Sequence, residues 1–522
     1  MAPQRNTRAS FVVIVCGFGL ILTARASAKV ELPRLISSHM VLQRGMKVPI
    51  WGTADAGEKI AVSFRDQTKT ATANAQGKWM VRLDALQPGD SATLTIAGSN
   101  TLTVDDVLVG EVWIGSGQSN MDTDIGDYVK DDAPMADAAR KTYPQVRQYR
   151  SDGTTGWTVF SPKAPRFSAQ LFYFAITLQK ELGVPVGVME GAVRGSSSSS
   201  WISDQTSKAD PAIQKQIADF NTYHPIERDL KKYDADYAKW KQTVAGLPPN
   251  TPSEKIPNAP WKPRAAGGGS TGDFYVKHIV PMIPYGIRGV LWDQGEGGTL
   301  FGCTQDVVMH ALITEWRKEW GQGDFPWIYV QKPSGGGCAL DPENPINKGA
   351  EPFVPLPAEP AQSWREGLAR QEYTLMMKNP NTFMVTSLDL ATGVHPKNKS
   401  GYAARDVRVA LATVYGKPIE YIGPVYQSFK VEGNKLRLDF THSRGGLTFP
   451  PGQKLQGFAI AGANKHFYWA DATIDRQAIM LSSPQVSIPV AARYAWAWNV
   501  AWANLFNKDG FPAITFRTDE WN

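Results

Sequence analysis

Cysteine is scarce: only Cys16, Cys303 and Cys338 occur in 522 residues. Three thiols in a chain this long exclude a disulfide-rich scaffold, and their spacing fits no zinc pattern. Histidine is nearly as sparse, with seven scattered residues and no pair at ligand spacing, so neither a metal nor another cofactor is expected. No glycine-rich segment stands between a strand and a helix in the way that a phosphate loop or dinucleotide fingerprint requires. Beyond the first thirty residues no apolar run approaches the roughly 20 residues that span a bilayer. A strong excess of one charge is missing too. The formal net charge is +6, and it falls to +3 without Arg5, Arg8 and Arg25, too little to argue for nucleic acid. There is no internal repeat.

What is present describes a multidomain α/β protein. Hydrophobic residues make up 42% and charged residues 20%, as in ordinary globular chains, and the length suits two to four domains. Residues 1–28 read as a secretory signal. Arg5 and Arg8 precede the apolar stretch Phe11 to Leu22, and Ala26-Ser-Ala28 offers a small-x-small cleavage site. The expectation is a secreted or periplasmic protein with no membrane association after cleavage. In that oxidising setting Cys303 and Cys338, both in glycine-bearing loops, form either a disulfide or two free thiols.

Residues 29–107 carry short strands punctuated by Gly57, Gly77 and Pro88-Gly-Asp90, the spacing of a small β-sandwich. Residues 108–416 alternate strands and helices, which implies right-handed crossovers and a parallel sheet. Strands are expected at 112–114, 146–149, 186–189, 289–292, 327–331 and 382–388. Two stretches interrupt this pattern: a polar insertion over 203–264, expected to lie over one end of the sheet, and a Gly- and Pro-rich loop from Pro333 to Glu359. Residues 417–522 return to β spacing, and Trp496, Trp498 and Trp502 are expected mostly in its core.

The chemistry centres on Glu111-Val-Trp-Ile-Gly-Ser-Gly-Gln-Ser-Asn-Met121, an apolar strand running into a glycine-flanked serine. Parallel sheets bind ligands beyond the C-terminal ends of their strands, which is where Ser119 falls. Met121 replaces the second glycine of a Gly-x-Ser-x-Gly elbow, so an α/β-hydrolase is disfavoured. His395, in Asp389-Leu-Ala-Thr-Gly-Val-His-Pro396, follows the last strand and precedes a helix expected near Ser400. A serine hydroxyl attacks slowly at neutral pH unless a base removes its proton, and a histidine from the same sheet edge could supply that base.

Together Gly117-Gln-Ser-Asn-Met121, Val290-Leu-Trp-Asp-Gln-Gly-Glu296 and Val394-His-Pro-Lys-Asn-Lys399 resemble the sialate O-acetylesterase-like branch of the SGNH hydrolases. Leu35-Ile-Ser-Ser-His-Met-Val-Leu-Gln-Arg44 is similar to that family's opening β segment. Arg493-Tyr-Ala-Trp496 and Asn504-Leu-Phe-Asn-Lys-Asp-Gly510 are similar to its closing one. The resemblance implies a flavodoxin-like three-layer α/β/α domain with a parallel sheet, flanked by N- and C-terminal β-sandwich-like domains. It implies Ser119 as nucleophile and His395 as general base. For the oxyanion it implies the Ser119 N–H, Gly195 and a donor near Gln294, with Glu296 and Asn120 also at the oxyanion or substrate side. The aspartate that the family commonly carries three residues before the histidine is Thr392 here. Asp389 is the nearest acid; Asp293, a backbone carbonyl or a Ser-His dyad without an acid are the alternatives. The implied substrate is an O-acetylated sugar, either sialic acid or an acetylated plant polysaccharide such as xylan, xyloglucan or pectin. An inactive carbohydrate-binding protein is the competing class.

Overall fold

The computed structural model describes residues 29–153, 155–163, 166–268 and 271–521. Residues 1–28, the stretch read as a signal, lie outside them. Seven strands form the central sheet: β1 (Thr101–Gly117), β2 (Tyr143–Arg150), β3 (Thr158–Phe160), β4 (Val186–Ala192), β5 (Gly289–Asp293), β6 (Trp327–Val330) and β7 (Thr382–Val385). Their order is β7-β6-β5-β1-β4-β2-β3, and every pairing is parallel except β2 with β3. The five helices that position the site are α1 (Ser119–Asp122), α2 (Ala169–Leu182), α3 (Gln305–Trp320), α4 (Leu368–Met376) and α5 (Lys399–Thr413).

The central strands β1, β4, β5 and β6 are largely apolar on both faces because both faces are covered. Val112 and Ile114 of β1 point with Val290 and Trp292 of β5 into a core that includes Leu312 and Trp316 of α3 and Met376 of α4. Trp113 and Leu291, one residue out of step, join Phe172 and Ala175 of α2 and Tyr402 and Ala403 of α5 on the opposite side. Period-two alternation thus divides one sheet between two helical layers.

The change of domain expected at 107–108 falls inside a single strand. The first half of β1 pairs antiparallel with Ala92–Ala97 of the N-terminal β layer, and Leu108–Gly110 pairs parallel with Val41–Gln43. Glu111, fully buried just beyond, accepts hydrogen bonds from Arg44 Nε (2.6 Å), Arg288 Nε (2.8 Å) and Gln43 Nε2 (3.1 Å). The N-terminal strands pair as Val48–Thr53 with Lys78–Leu83 and as Gln67–Thr72, Lys59–Phe64 and Ala92–Ala97.

The C-terminal region holds two four-stranded antiparallel sheets packed around Leu438, Ile460, Leu481 and Tyr494. Trp496 and Trp502 are buried there, whereas Trp498 is 61% exposed. The polar insertion forms helices Asp204–Ala209, Pro211–Tyr223 and Ile226–Ala245, and the last of these buries no residue. Cys303 and Cys338 are free thiols, not a disulfide. The first approaches the Ile213 carbonyl and the second the Ala503 carbonyl, so the two loops deliver them to different neighbours. Among the described residues no helix is long and apolar enough to cross a membrane.

Candidate active site

The turn after β1 is held by both adjacent strands. Gly117 lies opposite Ala192 of β4 and Asp293 of β5. The Gln118 N–H donates to the Asp293 carbonyl at 3.0 Å, and the Gly117 carbonyl accepts from the Val193 N–H at 3.1 Å and from Ser196 Oγ at 3.1 Å. Gly117 has φ of +122°, and a Cβ there would stand 2.2 Å from the Asp293 carbonyl oxygen, so only glycine fits. This turn delivers Ser119 to the first position of α1, where its own N–H has no helical acceptor.

His395 reaches the same point from the loop between β7 and α5. Its Nε2 is 2.8 Å from Ser119 Oγ, although the two residues are 276 positions apart. They line a pocket of about 610 Å³ together with Thr123, Tyr128, Arg194, Gly195, Glu296 and Lys397. Burial pushes the Tyr128 phenol up to about 12, so it is neutral here at any ordinary pH. Among the described residues, none bonds to Nδ1 of His395 and none accepts the Gly195 N–H. No group of three or more His, Cys, Asp or Glu among them could hold a metal.

No family profile matches the chain. Curated relatives span nearly all of it. Sialate O-acetylesterase of Mus musculus is 24% identical, over 92% of this chain and 93% of its own. Sialate O-acetylesterase of Homo sapiens is 25% identical, over 96% of each chain. A crystal structure described as a carbohydrate acetylesterase from Xanthomonas citri superposes with a TM-score of 0.71 at 28% identity, covering 94% of this chain and all of that one. The chain is sialate O-acetylesterase-like.

In this sialate O-acetylesterase-like chain several residues singled out from the sequence have other duties. Asp389 does not meet His395. Its carboxylate is fully buried and is bonded to Arg405 Nη2 at 2.5 Å and Asn347 Nδ2 at 2.6 Å, since the turn after β7 directs it toward α5 rather than outward. Asp293 does not reach the histidine either: its Oδ1 lies 2.7 Å from Lys332 Nζ, which is also 2.8 Å from Glu296 Oε1. Burial pulls the Lys332 ammonium down, but Asp293 and Glu296 outweigh it, and its pKa ends above the usual lysine value.

Gln294 is not an oxyanion donor. Its Nε2 donates to the carbonyls of Gly298 (2.7 Å) and Ser196 (3.3 Å), and its Oε1 accepts from Gln305. It therefore braces the loop that carries Gly195. Glu296 does line the pocket, where it also accepts from Gln118 Nε2 at 2.6 Å. Asn120 is 1% exposed and is not among the pocket's lining residues; its amide is engaged by the Val394 carbonyl and by Lys399.

Sequence reasoning passed over Lys332, Lys399 and Arg150. Arg150 pairs with Asp122, Asp124, Asp152 and Glu190, and Asp122 in turn holds the pocket residue Arg194 through a 3.0 Å bond to its Nε. Nothing in the local pattern marks Lys332 and Lys399 as buried or Arg150 as half-buried, because lysine and arginine are ordinarily surface residues.

Proposed function

We propose that the protein is a carbohydrate O-acetylesterase of SGNH type, with Ser119 as nucleophile and His395 as the base and acid that serves it. The observation that carries this reading is the 2.8 Å contact between Ser119 Oγ and His395 Nε2 in the lining of an open pocket. Curated relatives named sialate O-acetylesterase and the Xanthomonas citri carbohydrate acetylesterase support the acetyl-sugar class.

In the proposed reaction Ser119 Oγ forms a bond to the acetyl carbonyl carbon as its proton passes to His395 Nε2. The negative charge that develops on the carbonyl oxygen is met by the N–H groups of Ser119 and Gly195, which no backbone acceptor engages. The carbon–oxygen bond to the sugar then breaks, and the sugar oxygen takes the proton from Nε2. Water, deprotonated by the same nitrogen, then bonds to the acetyl carbon; the bond from that carbon to Ser119 Oγ breaks, Oγ takes the proton back from Nε2, and acetate leaves. No carboxylate touches the imidazole, so the pair works as a dyad oriented by its backbone.

The charges at the pocket favour a neutral acetylated sugar over sialic acid. Arg194 is engaged by Asp122 and lies 3.7 Å from Asp127, and Lys397 is paired with Asp131 at 2.6 Å, so neither cation is unengaged for a sialate carboxylate. The proposed setting is secreted or periplasmic, on the strength of residues 1–28.

Two measurements test the proposal. Acetate released from acetylated xylan, xyloglucan and pectin and from O-acetylated sialic acid should rank the neutral glycans first. Ser119→Ala should lower kcat by about 10⁴-fold or more with the fold unchanged. Failure of folded wild type to react with a serine-directed fluorophosphonate would favour a binding protein instead.

A further inference from the structure

The residue after the nucleophile and the residue before the base are joined as well. Asn120 Nδ2 donates to the Val394 carbonyl at 3.0 Å, while its Oδ1 accepts from Lys399 Nζ at 2.7 Å. We propose that Asn120, oriented by Lys399, is a positioning residue that ties the His395 loop to the nucleophile's turn and takes over the orienting task an acid usually performs. This rests on the dyad reading above and deepens it.

Three observations support the assignment. The first is that the amide can sit only one way round. Lysine offers donors alone, so Asn120 must present its oxygen to Lys399; its NH2 is then left for Val394, whose carbonyl can only accept. The Lys399 ammonium is completely buried, lies 5.4 Å from the Tyr128 ring and 5.5 Å from the Tyr402 ring, and makes its hydrogen bond to Asn120. A flipped amide would set NH2 against a buried cation, which is costly.

The second is that the His395 loop needs a restraint. Residues 392–395 are exposed and have no regular structure, and Gly393 has φ of +112° with open space around it. Upstream, Thr392 Oγ1 accepts from the Gly336 N–H at 2.9 Å. Downstream, Asn398 is bonded to the 345–348 segment. Between these anchors the Val394 carbonyl takes the Asn120 bond, and that carbonyl belongs to the peptide unit that contains the His395 nitrogen.

The third is the geometry of the pair. Ser119 and Asn120 are adjacent, as are Val394 and His395, so the two short segments are clasped at two points: Oγ to Nε2 and Nδ2 to carbonyl. Loss of the second contact leaves the imidazole free to swing about the first.

Asn120→Asp separates this from a merely structural role. Aspartate keeps an acceptor for Lys399, and so keeps the buried cation paired, but it has no donor for Val394. With 4-nitrophenyl acetate as probe, kcat should fall roughly 10- to 100-fold, the scale of a misplacement near 1 Å, with KM within about twofold and the thermal midpoint held. Fluorophosphonate labelling of Ser119 should slow by the same factor. Lys399→Met, which frees the amide to turn, should move kcat in the same direction. Should Asn120→Asp not fold, Asn120→Ala removes both contacts without adding charge and carries the same expectation. Folded Asn120→Asp with wild-type kcat and labelling rate overturns the tether alone. Wild type that neither hydrolyses the probe nor labels overturns the hydrolase reading instead.

Discussion

Asp389 carries its charge inward, and the consequence can be measured. Its Oδ2 is bonded to Arg405 Nη2, and both side chains are almost wholly buried. Removing one partner of such a pair costs about 3–5 kcal/mol, because the other charge is left unpaired away from water. Asp389→Asn should therefore lower the denaturation midpoint sharply, while the folded fraction keeps the kcat and KM of wild type on an acetyl ester. A variant as stable as wild type but as inactive as His395→Ala would return Asp389 to the site. Position in the chain misled here: six residues before His395 and just past a strand, Asp389 has the address of a triad acid. Which way a side chain leaves a turn depends on what packs against it, and Arg405 of α5 supplies that partner.

At the level of elements, β1 and the turn that ends it matter most. Gly117 tolerates no side chain, for its φ is positive and the Asp293 carbonyl occupies the space. Gly117→Ala should lose both stability, by about 1–3 kcal/mol from backbone strain with overpacking added, and reactivity of Ser119. Urea midpoints and fluorophosphonate labelling check the two separately. A variant that labels at the wild-type rate would mean that β5 yields without moving the serine. Most strands of the parallel sheet were legible as short apolar runs, β1, β4, β5, β6 and β7 among them, since burial on both faces leaves a continuous apolar signature; β2, with Arg147 and Gln148 inside it, carries a weaker one. Its reach was not: β1 extends from Thr101 to Gly117 because Thr101 to Val104 pair with a neighbouring layer while Val112 to Ile114 pair with the central sheet. A polar-alternating run and an apolar run read as two elements until both sets of partners are known.

The whole molecule carries a buried charge cluster that couples folding to pH. Burial, opposed by a hydrogen bond from Gln170 of α2, pushes the Asp406 carboxyl of α5 up to about 7 from an ordinary 3.8. The folded chain then holds a proton between pH 4 and 7 that the unfolded chain has released. Any stability that depends on the neutral carboxyl is present at pH 4 and is lost as pH rises through about 7. Lys399 behaves oppositely: burial brings it down to about 8, so its burial penalty is full below pH 8 and fades between 8 and 10.5 as the unfolded chain gives up its proton. Asp406→Asn should leave stability near pH 4 little changed and raise it at pH 8, read as urea midpoints at the two pH values. Equal effects at both would show that the carboxyl is not the group responsible.

Composition, strand spacing and three short motifs determined on their own that this is an α/β chain with β regions at both ends, and that Ser119 and His395 are its reactive candidates. Those features are local: apolar runs reflect burial, and glycine-flanked serines reflect turn geometry, whatever the rest of the chain does. Only the tertiary structure decided that the two thiols stay apart and that Asp389, Gln294 and Asn120 serve the scaffold around the pair. It also brought Lys332 and Lys399 indoors. A buried polar group bonds to whatever donor or acceptor the packing brings within 3 Å, and that neighbour stands anywhere from two to hundreds of residues away.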